Sequence, residues 1–211
     1  MQESEKTAAA DPRASCVGIL LAAGFGRRYA AAGPAEGPEG AKLLARLPDG
    51  SSVAWRAAMS LNAITSHTLA VTRPDTEVLH AQLRSAGCDV LTTPLATRGM
   101  GASLAAGARH LLAGDAGPPS IALIALADMP WIRHETYADI VRAAPFHAIV
   151  VPTFQGRRGH PVAMQRSLWA ELATLDGDVG ARALLARHPV FELSTEDAGI
   201  LRDVDVPQDL T

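Results

Sequence analysis

Cysteine is nearly missing from this chain: Cys16 and Cys88 are the only two in 211 residues. Two cysteines cannot build a disulfide framework, and without a C-x-x-C pair they point to neither a dithiol redox centre nor a zinc knuckle. Both fall in apolar stretches and read as buried, inert thiols in a protein of a reducing cytoplasm. Tryptophan is sparse as well; Trp55, Trp131 and Trp169 are isolated and read as packing residues. There is no excess of positive charge. A net charge of −3 excludes a general attraction to nucleic acid or to an anionic membrane. Long hydrophobic runs are also lacking, since no apolar stretch reaches the ~20 residues of a membrane span. The first 15 residues are polar, carry no signal-peptide apolar core and read as a flexible leader. Residues 16–211 suit a single domain.

What is present is alternation. Short apolar runs at 16–22, 67–72, 88–92, 121–127 and 148–152 have the composition of strands buried on both faces. Helical patterns at 52–64, 75–86, 101–112 and 135–144 separate them, and two later helices are expected at 168–175 and 179–188. Strand–helix alternation predicts an α/β protein with a mostly parallel central sheet and helices on both faces. Residues 30–41, with Gly33, Pro34, Gly37, Pro38 and Gly40, read as a mobile surface loop, and 114–119 as a shorter connector.

The sharpest local feature follows the first strand: Leu20-Leu21-Ala22-Ala23-Gly24-Phe25-Gly26-Arg27-Arg28. Ligands of open α/β sheets bind beyond the carboxyl ends of the strands. Glycines at such a turn let backbone N–H groups approach phosphate oxygens. Two arginines at once, and Lys42 after the loop, add the fixed cations a triphosphate needs. The alternative is a plain glycine turn with solvated arginines. A dinucleotide fingerprint is excluded because Gly24-x-Gly26-x-x ends on Tyr29, and no GxxxxGK[ST] string occurs.

With LAAG-x-G-x-R in place, five further segments follow: Gly99-Met100-Gly101-Ala102-Ser103-Leu104-Ala105-Ala106-Gly107, Ala127-Asp128-Met129-Pro130, Gly156-Arg157-Arg158-Gly159-His160-Pro161, Gly177-Asp178-Val179-Gly180-Ala181-Arg182 and Asp203-Val204-Asp205-Val206-Pro207-Gln208-Asp209-Leu210. In this order they resemble the MobA/MocA-like molybdenum cofactor nucleotidyltransferases, and Ala23, within LAAG where the guanylyl type has LAGG, resembles the cytidylyl type. The resemblance implies a three-layer Rossmann-like nucleotidyltransferase fold. It implies transfer of CMP from CTP to the terminal phosphate of molybdopterin, with release of pyrophosphate. Alternatives are GTP with the same acceptor, a sugar or polyol phosphate as acceptor, or a non-catalytic nucleotide-binding or delivery module. A molybdoenzyme or its maturation chaperone is an implied partner. Two departures from the family pattern stand out: the loop between Arg28 and Lys42 is lengthened, and Val206 replaces a threonine.

Residue roles follow from position and resemblance together. Asp128 ends an apolar run, where a magnesium carboxylate is expected, with Asp205 as second ligand of Mg²⁺ and Asp203 as the alternate. The same aspartates could instead serve as a helix cap and a turn residue. Leu21, Ala22, Ala23, Gly24, Gly26, Arg28, Lys42 and Ser103 are expected at the nucleotide, with Arg28 and Lys42 neutralising phosphates. His160 and Arg182 are candidates for the acceptor. A phosphate nucleophile is already anionic near neutrality, so no general base is required.

Overall fold

A computed structural model of the chain describes residues 15–32, 41–114, 119–178 and 180–211. The leader (1–14), most of the loop (33–40), most of the connector (115–118) and Val179 lie outside the described residues, and so do the expectations that fall on them.

The expected strands are β1 (Cys16–Leu21), β2 (His67–Thr72), β3 (Cys88–Thr92), β4 (Ile121–Leu126) and β5 (Ile149–Phe154). Three strands went unseen in the sequence: β6 (Arg157–Arg158), β7 (Val162–Gln165) and β8 (Val190–Ser194). β6 and β7 are too short to show periodicity. β8 is partly exposed along its length and lacks the apolar run of a buried strand. All eight form one sheet in the order β3-β2-β1-β4-β7-β5-β6, with β8 paired to β5. Strands β1 to β4 are mutually parallel, whereas β7 runs antiparallel between β4 and β5. The sheet is therefore mostly parallel, as the alternation requires.

Side-chain alternation along the strands divides the core in two. Cys16 and Leu20 of β1, with Ile121, Leu123 and Ala125 of β4, pack beneath α3 (Val53–Asn62), α4 (Glu77–Ser85) and α6 (His134–Ala143). Val17, Ile19 and Leu21, with Ala122 and Ile124, face α5 (Met100–Ala113), α7 (Trp169–Leu172) and α8 (Arg182–Arg187). Such two-sided burial is why these strands are continuously apolar. Both cysteines are buried, and burial pushes each thiol up to about 11. Trp169 is fully buried, and its indole N–H donates to the Met164 carbonyl.

Other expectations need adjusting. Around the unseen part of the loop, α1 (Arg27–Ala32) and α2 (Ala41–Leu44) are helical. Glycine and proline content hid these short segments. The helix expected at 168–175 is only a 3₁₀ turn, Arg166–Leu168, followed by one turn of α7, and the helix expected at 179–188 begins at Arg182. Among the described residues, no helix is long and apolar enough to cross a membrane.

Candidate active site

Parallel strands place the carboxyl ends of β1, β2 and β4 along one edge of the sheet, and the site is assembled there. The turn after β1 begins with Ala22, whose N–H donates to the Val71 carbonyl at 2.9 Å. Ala22 thus anchors the turn to β2 through its amide. Gly24 is open: a Cβ there would meet nothing within 4 Å. Gly26 has φ +61°, and an added Cβ would lie 3.2 Å from Lys42 Cβ. The left-handed turn therefore seats the stem of Lys42 directly against the glycine loop, although Lys42 lies 14 residues after Arg28.

Lys42 then bridges two carboxylates that lie 77 residues apart in the sequence. Its Nζ is 2.8 Å from Asp128 Oδ2 and 3.2 Å from Asp205 Oδ1, with only 13% of the side chain exposed. Burial alone would depress the ammonium, but Asp128 and Asp205 outweigh it and hold the Lys42 pKa above its ordinary value. Arg28, largely exposed, closes on Asp205 from the solvent side. Asp128 Oδ1 is buried and has no hydrogen-bond partner.

The chain terminus is brought to this point by two devices. Val204 N–H donates to the Asp128 carbonyl at 2.9 Å, pinning the last segment beside β4. Asp209 Oδ2 accepts the N–H groups of both Asp205 and Val206, each at 2.8 Å. Those two bonds hold the Asp209 carboxyl below its usual range. The turn is thus capped from Asp209 and does not depend on a hydroxyl at Val206. Asp209 was visible in the terminal motif, yet nothing in sequence spacing marks it as the residue that sets Asp205. Asp203 is pushed up by partial burial and by the negative charge of Asp205 and Asp128, so it lies close to the pair while Lys42 contacts the other two. Among the described residues, no three or more His, Cys, Asp or Glu side chains converge as a metal cage. The donor set is instead two carboxylates with one unpartnered oxygen. Hard oxygen donors of this number suit a divalent ion that completes its shell with waters and substrate phosphates.

Two cavities meet here. One, about 490 Å³, is lined by Ala23, Gly24, Gly26, Arg28, Lys42, Ser103, Asp128 and Asp205. The other, about 660 Å³, is lined by Leu104, Ile124, Val151, Val162 and Leu185, together with Arg158, His160 and Arg182. Leu21, Met100, Leu126 and Asp178 line both. Ser103 does face the first cavity, but its hydroxyl donates to the Gly99 carbonyl at 3.1 Å, leaving only lone pairs for a ligand. Phe25 also lines this cavity, with the Arg73 guanidinium 4.1 Å from its ring centroid.

The wall between the cavities comes from two sequence motifs docked on each other. Gly101 N–H donates to the Gly177 carbonyl at 2.7 Å, and Arg98 pairs with Asp176. Gly99 has φ +127°, and a Cβ there would fall 2.3 Å from Asp178 Oδ1. Sequence reading quoted Asp178 and Met100 within motifs but gave them no place, because only tertiary docking sets them between two ligand spaces.

His160 reaches the site through β7. Because β7 runs antiparallel to β4, with Val162 opposite Ile124, its entry turn lies at the carboxyl edge of β4. Gly159 N–H bonds the Pro152 carbonyl and His160 N–H the Ile200 carbonyl, at 2.9 and 3.0 Å. Burial lowers the His160 pKa, although a bond to the Ile124 backbone and the Asp128 charge act the other way. Its Nδ1 is buried and unpartnered. Arg158, not foreseen, lines the same cavity and pairs with Glu192 at 2.7 Å.

Comparison with known proteins agrees with this fold. The chain resembles the solved structure of Rv0371c from Mycobacterium tuberculosis, with 25% identity, TM-score 0.74, and coverage of 92% of this chain and 95% of that one. A manganese complex of that protein matches at 24% identity and TM-score 0.70, covering 92% and 95%. A nucleotidyl transferase from Methanothermobacter matches at 21% identity and TM-score 0.75, covering 92% and 94%. The molybdopterin-guanine dinucleotide biosynthesis protein A of Archaeoglobus fulgidus matches at 16% and TM-score 0.63, covering 92% and 94%. Identities this low bear on the fold. A search of curated protein sequences finds no match. The model of the MobA-like NTP transferase domain, however, matches residues 18–192, and the chain belongs to that family of nucleotidyltransferases.

Proposed function

We propose that the protein transfers CMP from CTP to the phosphate of molybdopterin, releasing pyrophosphate. The observation that carries this reading is the junction at Lys42, Asp128 and Asp205 on the smaller cavity, beside a larger cavity that shares Leu21, Met100, Leu126 and Asp178 with it. A triphosphate in the first cavity would meet the Gly24–Gly26 turn, Arg28 and Lys42. An acceptor in the second would present its phosphate from the side of His160 and Arg182. The acceptor oxygen attacks the α-phosphorus, a new P–O–P bond forms, and the bond to the β-phosphate oxygen breaks with pyrophosphate as leaving group. Positioning and charge neutralisation carry such a reaction. A divalent ion, Mg²⁺ in our reading, would be held by Asp128 and Asp205 and would neutralise charge on the phosphates. The manganese complex of the mycobacterial neighbour supports a divalent ion on this fold.

The larger cavity favours a flat, largely apolar acceptor body over a polyol, since Leu104, Ile124, Val151, Val162 and Leu185 face it. The cations Arg158 and Arg182 suit one anionic group on that body. His160, kept neutral by burial, would donate or accept one hydrogen bond there. Ala23 favours CTP over GTP. Because all eight strands join one sheet, we read 16–211 as one unit. The test is pyrophosphate release with each of the four NTPs, with and without molybdopterin. Release with CTP that depends on molybdopterin is expected. A preference for GTP would reverse the base assignment, and release only with sugar phosphates would replace the acceptor.

A further inference from the structure

Two carboxylates and two cations pair at this junction, with the Asp203 carboxyl close by. Lys42 Nζ lies between Asp128 and Asp205 at 2.8 and 3.2 Å, and Arg28 holds Asp205 from outside. A dication approaching this cluster finds both carboxylates compensated and an ammonium in the space between them. Coulomb repulsion at such range is not screened by bulk water, because the Lys42 side chain is only 13% exposed. A triphosphate changes the balance. It offers Lys42 and Arg28 new anionic partners and frees both carboxylates. The move is short, since the Lys42 stem already rests against Gly26 of the glycine loop. Rotation of the outer bonds of one side chain carries the ammonium from the acids to the loop. The unpartnered, buried Asp128 Oδ1 is then joined by Oδ2 as a free oxygen.

We propose that Lys42 is a placeholder for the divalent cation, occupying the gap between Asp128 and Asp205 until an NTP draws it away, so that metal and nucleotide enter together and neither binds well alone. This rests on the nucleotidyl-transfer reading for the nature of the nucleotide, but the exclusion of metal by Lys42 does not. By linkage, whatever factor the nucleotide adds to metal affinity the metal adds to nucleotide affinity.

The experiment measures Mn²⁺ binding from the paramagnetic signal of the free ion, with metal alone and with a non-hydrolysable α,β-methylene NTP. The wild type, Lys42→Gln and Arg28→Gln are compared. With metal alone, Lys42→Gln should bind Mn²⁺ at least about tenfold tighter than wild type, because a nearby positive charge is gone. Arg28→Gln, at an exposed and better screened position, should gain only about two- to threefold. Adding the analogue should tighten Mn²⁺ binding to wild type strongly and to Lys42→Gln far less. Unchanged or weaker Mn²⁺ binding by Lys42→Gln overturns the proposal. Should that variant not fold, Lys42→Met is measured in its place, and unchanged or weaker Mn²⁺ binding by it overturns the proposal equally. The metal-only comparison decides the role of Lys42. The response of the wild type to the analogue decides the nucleotide reading, so the two can fail separately.

Discussion

Replacing Gly99 by alanine tests whether the wall between the two cavities is built as described. Gly99 has φ +127° and ψ −178°, a region that side chains rarely adopt. Its backbone strain costs about 1–3 kcal/mol. The added Cβ would also sit 2.3 Å from Asp178 Oδ1 and 2.6 Å from the Gly177 backbone. The 176–178 segment must therefore shift, and the Gly101 N–H bond to Gly177 is lost or stretched, at about 1 kcal/mol. The sum is about 2–4 kcal/mol, which lowers the melting temperature by roughly 4–16 °C for a domain of this size. Asp178 lines both cavities, so KM for the NTP and for the acceptor should rise together. Thermal unfolding and steady-state kinetics would read both effects. Gly114→Ala is the control: its φ is −74° and the nearest atom to a Cβ is 3.6 Å away. If Gly99→Ala melts and turns over like wild type, the docking of the two motifs is not what holds the wall.

Other outcomes follow from the same geometry. Asp128→Ala should abolish pyrophosphate release while NTP binding, measured by calorimetry, only weakens; near-normal turnover would remove Asp128 from the chemistry. Asp209→Ala removes the acceptor for two backbone N–H groups, so kcat should fall by about tenfold or more through a displaced Asp205; unchanged kcat with normal folding would show that Asp205 is held otherwise. His160 has a folded pKa below its ordinary 6.5, so the unfolded chain binds more protons between the two values. Its contribution to stability is complete above 6.5 and is lost as pH falls toward the folded value. Urea unfolding at a series of pH values should therefore show a slope just below 6.5 that His160→Gln flattens; an equal slope in both proteins would contradict the burial argument.

Much of this was written locally. Strands β1 to β5 declare themselves because residues buried on both faces must all be apolar, and the Gly24–Gly26 turn because close backbone approach needs glycine. The roles that remained open were those set by partners distant in sequence. Asp128 and Asp205 each also allowed a reading as a cap or turn aspartate, and nothing in the sequence places Lys42 between them. The bond from the Ala22 amide to Val71, which ties the turn to β2, has no mark in the sequence. Arg158 lies in a two-residue strand that no periodicity could reveal.

The chain by itself determined a mostly parallel α/β sheet, a glycine turn after its first strand, and an aspartate just beyond the end of β4, since hydrophobic period and backbone freedom act over a few residues. Tertiary structure alone decided that β7 enters antiparallel beside β4 and delivers His160 to the edge, that Asp209 orients Asp205, and that one lysine bridges two acids 77 positions apart. Charge and packing act through space at a few ångströms, and the sequence does not contain those distances.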